Sequence, residues 1–68
     1  MRGDDRLVGN RIKELMEERK VSQVELSKAA GVSQSFISNI IKGFKDPSIV
    51  VMKRIADYFN KPIDYFIE

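Results

Sequence analysis

The chain has 68 residues, twelve Lys and Arg against ten Asp and Glu, a net charge of +2, and neither His nor Cys. That length is one domain, which buries only roughly 60% of its unfolded surface. Without Cys there are no disulfides, thiolate metal sites or cysteine nucleophiles, and without His the commonest zinc ligand and general base are gone, so no enzyme, metal or cofactor is expected.

Residues 1–6 read as a polar N-terminal arm, expected to be flexible, and residues 7–68 as the single domain. The arm lacks the apolar stretch of a signal peptide, and no apolar run approaches the roughly 20 residues of a membrane span. A cytoplasmic protein without membrane contact is the expectation. Val8, Ile12, Leu15 and Met16 then fall at i, i+4, i+7 and i+8, one stripe of a first helix. Lys13, Glu14, Glu17 and Glu18 take its other face. After a link at Lys20-Val21, Ser22 and Glu25 form a capping box that starts a second helix, with Val21 and Leu26 as its staple. That helix runs through Leu26, Ala29 and Ala30 to Gly31, which suits a left-handed cap. Ser33 caps a third helix stapled by Val32 and Ile37, whose inward stripe is Ile37, Ile40 and Ile41 and whose end is Gly43. Ser48, or Asp46 with Pro47 at the first helical position, opens a fourth helix with Ile49, Met52, Ile55, Ala56 and Phe59 facing inward. Asn60 closes it, and Pro62 starts a short fifth helix carrying Ile63, Phe66 and Ile67. No segment alternates with period two. The fold class is all-α, a compact bundle of five short helices.

The second and third helices carry the functional signal. A short helix, a tight turn at Gly31 and a helix starting at Ser33 cross steeply, which is helix-turn-helix geometry. Such a pair can set the N-terminal end of its second helix in a DNA major groove. The outward positions of that helix are Gln34, Ser35, Phe36, Ser38 and Asn39, where the first helix uses Lys and Glu. From Leu26 to Lys45 there is no acid, while Lys28, Lys42 and Lys45 are present. Carboxylates beside phosphates would be repelled, so this gap points to double-stranded DNA as the partner. The plain alternative is an uncharged surface helix.

The runs Arg11-Ile12-Lys13-Glu14-Leu15, Val21-Ser22-Gln23-Val24-Glu25-Leu26-Ser27 and Ala30-Gly31-Val32-Ser33-Gln34-Ser35-Phe36-Ile37-Ser38, followed by Pro47-Ser48, Ile55-Ala56 and Ile63-Asp64, resemble the Cro/CI-type helix-turn-helix family. These are phage-repressor-like, XRE-type bacterial regulators, and the resemblance spans about residues 7–67. It implies a lambda-repressor-like DNA-binding domain and a role for each matching position. Gln34, Ser35, Ser38 and Asn39 would face base edges, and Phe36 would touch a thymine methyl or sugar, or lie on the protein's own surface. Gln23, Ser33, Lys42 and Lys45 would meet phosphates, with Gln23 also bracing Gln34. Arg11 stands between a phosphate contact and an ordinary solvated charge.

Two departures from the family pattern stand out. Relatives commonly pair an arginine at the position of Met16 with a glutamate at that of Ile41; two apolar residues here suggest a packed substitute for that pair. In the fourth helix, Val50 and Val51 replace the usual polar residues, and Tyr58 and Tyr65 fall outside the inward stripe. With Ile67, these four form the expected homodimer contact, against the plain alternative of scattered surface hydrophobes. The resulting expectation is a transcriptional repressor binding a pseudo-palindromic operator as a homodimer. The rival is an interaction module or antitoxin-type partner that keeps the fold without binding DNA.

Overall fold

Three of the serine caps expected from the sequence bound helices in the computed structural model, which describes residues 7–67. Five helices follow in order among these residues: α1 (Leu7–Arg19), α2 (Gln23–Ala30), α3 (Gln34–Lys42), α4 (Ile49–Phe59) and α5 (Asp64–Ile67). The polar arm, residues 1–6, lies outside the described residues. None of the helices is long and apolar enough to cross a membrane.

Local chemistry accounts for most boundaries. Ser22 Oγ accepts from the Glu25 amide at 3.0 Å while the Glu25 carboxylate accepts from the Ser22 amide at 2.9 Å, a complete capping box for α2. Ser33 Oγ accepts from the Phe36 amide and Ser48 Oγ from the Val51 amide, so Ser48, not Asp46, caps α4. α2 ends in left-handed Gly31 (φ 73°), where an L side chain would be strained, and α4 ends in left-handed Asn60. Lys20 also adopts positive φ, ending α1 with the Val21 amide donating to the Met16 carbonyl. α5 begins two residues later than the expected start at Pro62. Pro62 contributes only its carbonyl, which accepts from the Tyr65 amide.

The core is built by the inward stripes of four helices and by Phe66 of α5: Ile12, Leu15 and Met16 of α1, Leu26 and Ala30 of α2, Ile37 and Ile40 of α3, and five residues of α4. α1 packs on α3 and α5, and α2 packs on α3 and α4. One close approach sets the α1–α3 distance. A Cβ on Gly9 would collide with the carbonyl oxygen of Ile40 and come within 2.9 Å of that of Ile41, so only glycine lets the two backbones meet there.

The face of α4 differs from the sequence reading. Val51, expected at an exposed dimer contact, belongs to the core at 9% exposure, and Ile49, expected inside, is 65% exposed. The buried residues are Val51, Met52, Ile55, Ala56 and Phe59, spaced at i, i+1, i+4, i+5 and i+8. Ile49 lies six positions before Ile55, about 240° around the helix, and falls off this face. Tyr65, also expected to be exposed, is half-buried and packs against the core. Its ring carries the Arg11 guanidinium at 5.1 Å and the Lys61 ammonium at 4.9 Å from its centroid.

Candidate nucleic-acid interface

α3 buries Ile37 and Ile40 and thereby turns the opposite side outward. Ser35, Ser38, Asn39 and Lys42 fall at i, i+3, i+4 and i+7, so they form one stripe centred away from those two isoleucines. Gln34 and Ser35 are exposed, and Ser38 and Asn39 are half-buried. Four small side chains with donors and acceptors, ending in a lysine, make a surface that matches base edges without carrying negative charge.

Phe36 stands on the flank of this stripe. It is half-buried and packs against the core, which favours the protein-surface alternative over a base contact. Gln23 and Gln34 are each the first residue of their helix, at the ends where unpaired amides and the helix dipole favour an anion. Ser33 accepts the Phe36 amide at 3.0 Å, and this bond leaves the hydroxyl's own hydrogen to donate elsewhere. Beyond Lys42, the amides of Phe44 and Lys45 both donate to the Asn39 carbonyl, which holds the turn after α3 in place. Lys42 and Lys45 project from that turn exposed. The Arg11 guanidinium lies over the ring of Tyr65 of α5.

Three further residues fix how the helices meet. The Arg54 guanidinium donates to the Ala30 carbonyl at 3.2 Å, tying α4 to the end of α2. Arg19 donates to the Phe59 carbonyl at 2.7 Å, at the end of α4. Gly9 sets how closely α1 meets α3. The two arginine contacts span 24 and 40 positions of chain, so no local pattern announces them. A glycine inside a helix is itself a hint, because it costs about 1 kcal/mol relative to alanine unless a close approach requires it. Phe44, in the α3–α4 turn, is 71% exposed.

A model of the helix-turn-helix family matches residues 12–66. The immunity repressor protein of Bacillus phage phi105 is 37% identical over 49 residues, which cover 72% of this chain and 34% of the repressor. The ImmF control region 10 kDa protein of the same phage is 35% identical over 57 residues, covering 84% of this chain and 63% of that protein. The chain therefore spans about a third of one relative and just under two thirds of the other. Among solved structures, the restriction-modification controller protein C.AhdI from Aeromonas hydrophila superimposes with a TM-score of 0.86 over 96% of this chain and 98% of that one. The two are 22% identical, so this likeness concerns the fold.

Proposed function

The chain belongs to the Cro/CI-type helix-turn-helix family, and from that premise we propose that it is a sequence-specific DNA-binding transcriptional regulator, acting as a repressor. The observation that carries this reading is the outward stripe of α3, Ser35, Ser38, Asn39 and Lys42 with Gln34 at its head, inside a twenty-residue segment free of acids. α3 enters the major groove, where Gln34 and Asn39 can pair bidentately with adenine and Ser35 and Ser38 bond to base edges. Gln23, Ser33, Lys42 and Lys45 meet phosphates and set the register without reading sequence. Bound at a promoter, the protein excludes polymerase with no catalytic step.

The reading includes a homodimer on a pseudo-palindromic site. In such a dimer the two α3 helices would enter successive major grooves, roughly 34 Å apart. Val50, Tyr58 and Ile67 are exposed on α4 and α5 and supply the apolar contact, joined by Ile49.

Selection of bound duplexes from random DNA tests site, symmetry and dimerisation together, with recovery of a palindrome as the expected result. On the recovered duplex, Gln34→Ala should weaken binding by about 1–3 kcal/mol and relax preference at one or two base pairs. Lys42→Ala should weaken all duplexes alike and reduce the salt slope by about one. An unchanged preference in Gln34→Ala would remove α3 as the reading helix. An electrophoretic shift absent at both low and moderate salt would favour the interaction-module alternative.

A further inference from the structure

α2 ends on a carbonyl, that of fully buried Ala30, which has no partner within its own helix. The next residues, Gly31, Val32 and Ser33, are all that separates α2 from the reading helix. Ser27 accepts both the Gly31 and the Val32 amides, which closes the chain side of the turn. The Ala30 carbonyl is met from elsewhere, by Nη1 of Arg54 on α4 at 3.2 Å. The same Nη1 lies 2.8 Å from where a Cβ on Gly31 would stand. A Cβ on Gly31 would therefore push the flexible end of Arg54 away from that carbonyl. A cation at this helix end also complements the partial negative charge of the C-terminal carbonyls.

We propose that Arg54 is a positioning residue for DNA recognition, fastening the turn between α2 and α3 to α4 and so fixing the attitude of α3 on the body of the protein. This rests on the reading of α3 as the DNA-reading helix. Base-edge hydrogen bonds need placement within roughly 0.5 Å, whereas lysine–phosphate attraction tolerates more. Loosening the turn therefore costs discrimination between sequences before it costs general affinity for DNA. A surface arginine in a DNA-binding chain would ordinarily be assigned to a phosphate, but this one is engaged with a carbonyl.

The experiment compares the full chain with Arg54→Met, Arg54→Lys, Gly31→Asn and the Arg54→Met/Gly31→Asn double variant. Asn accepts the left-handed backbone but fills the space of the guanidinium. Each is titrated with the selected palindromic duplex and with a scrambled duplex of equal length across a salt series. The temperature is one at which circular dichroism shows every variant on its folded baseline. The expected result is that Arg54→Met lowers the ratio of specific to scrambled affinity about tenfold with an unchanged salt slope, that Arg54→Lys retains most of the ratio, and that the double variant loses little beyond either single one. A merely stabilising arginine would shift the melting temperature and leave that ratio intact, which would overturn the inference. So would a slope reduced by about 0.9 with the ratio preserved, the signature of a lost phosphate contact. A wild-type chain that binds neither duplex would instead overturn the DNA-binding reading, and this inference with it.

Discussion

α3 and α4 are built alike and present different things. Each starts on a serine whose hydroxyl accepts the amide three residues on, each ends in a left-handed residue, and each buries an apolar stripe in the same core. Their outer faces diverge. α3 shows hydroxyls, amides and one lysine, whereas α4 begins with Ile49 and Val50 in water and carries Tyr58 towards its other end. Caps and inward stripes decide that a helix forms and where it packs; the outer face is free of those duties and reports what the helix meets. On that ground we propose α3 as the DNA-facing helix and the outer side of α4 as the contact with a second copy.

If the inward sides are equivalent, Ile37→Ala in α3 and Ile55→Ala in α4 should each cost about 2–5 kcal/mol, read from denaturant midpoints at unchanged m-value. Both side chains are almost wholly buried, and a loss below 1 kcal/mol in only one of them would break the equivalence. A step smaller is the boundary of the α3 stripe, where Ile41 is half-buried. Ile41→Glu should destabilise by about 2 kcal/mol, less than the roughly 3–5 of a wholly buried unpaired charge. Adding Met16→Arg should recover much of that loss if the two positions face each other as the sequence leads one to expect, because an ion pair would then form. Additive losses in the cycle would show that the two positions do not act together.

The outer faces make the sharper contrast. Val50→Asp should leave the stability of the folded monomer within about 0.5 kcal/mol, yet weaken the dimer's association free energy by about 1–2 kcal/mol, measured by sedimentation equilibrium. An unaltered association constant would detach α4 from the dimer. Smallest are the caps: Ser33→Ala and Ser48→Ala should each cost about 1 kcal/mol of stability. Only Ser33→Ala should also weaken DNA binding, and an equal effect from Ser48→Ala would erase the distinction between the two helix starts.

Much of this architecture was legible because its causes are local. The Ser22–Glu25 box, the Ser33 and Ser48 caps and the left-handed Gly31 and Asn60 depend on residues within a turn of one another. The outward residues of α3 follow from the period of Ile37 and Ile40 in the same helix. Reading α4 was harder, since four consecutive apolar residues, Ile49 to Met52, fit more than one register. The inward arc settled on Val51 and Met52 only when the other helices took their places around Ile55 and Phe59.

The absence of His and Cys and the weak net charge of +2 are properties of composition, as are the five helix signatures and the acid-free segment around α3. The missing His and Cys rule out imidazole and thiolate chemistry, since no packing can supply a side chain that the chain lacks. What only the tertiary structure decided is which residues distant in sequence meet one another. Arg54 reaches Ala30, Arg19 reaches Phe59, Gly9 admits the carbonyls of α3, and Arg11 lies over Tyr65 of α5. Each joins residues from different helices, and the distance between such groups is set by how whole helices pack rather than by any spacing along the chain.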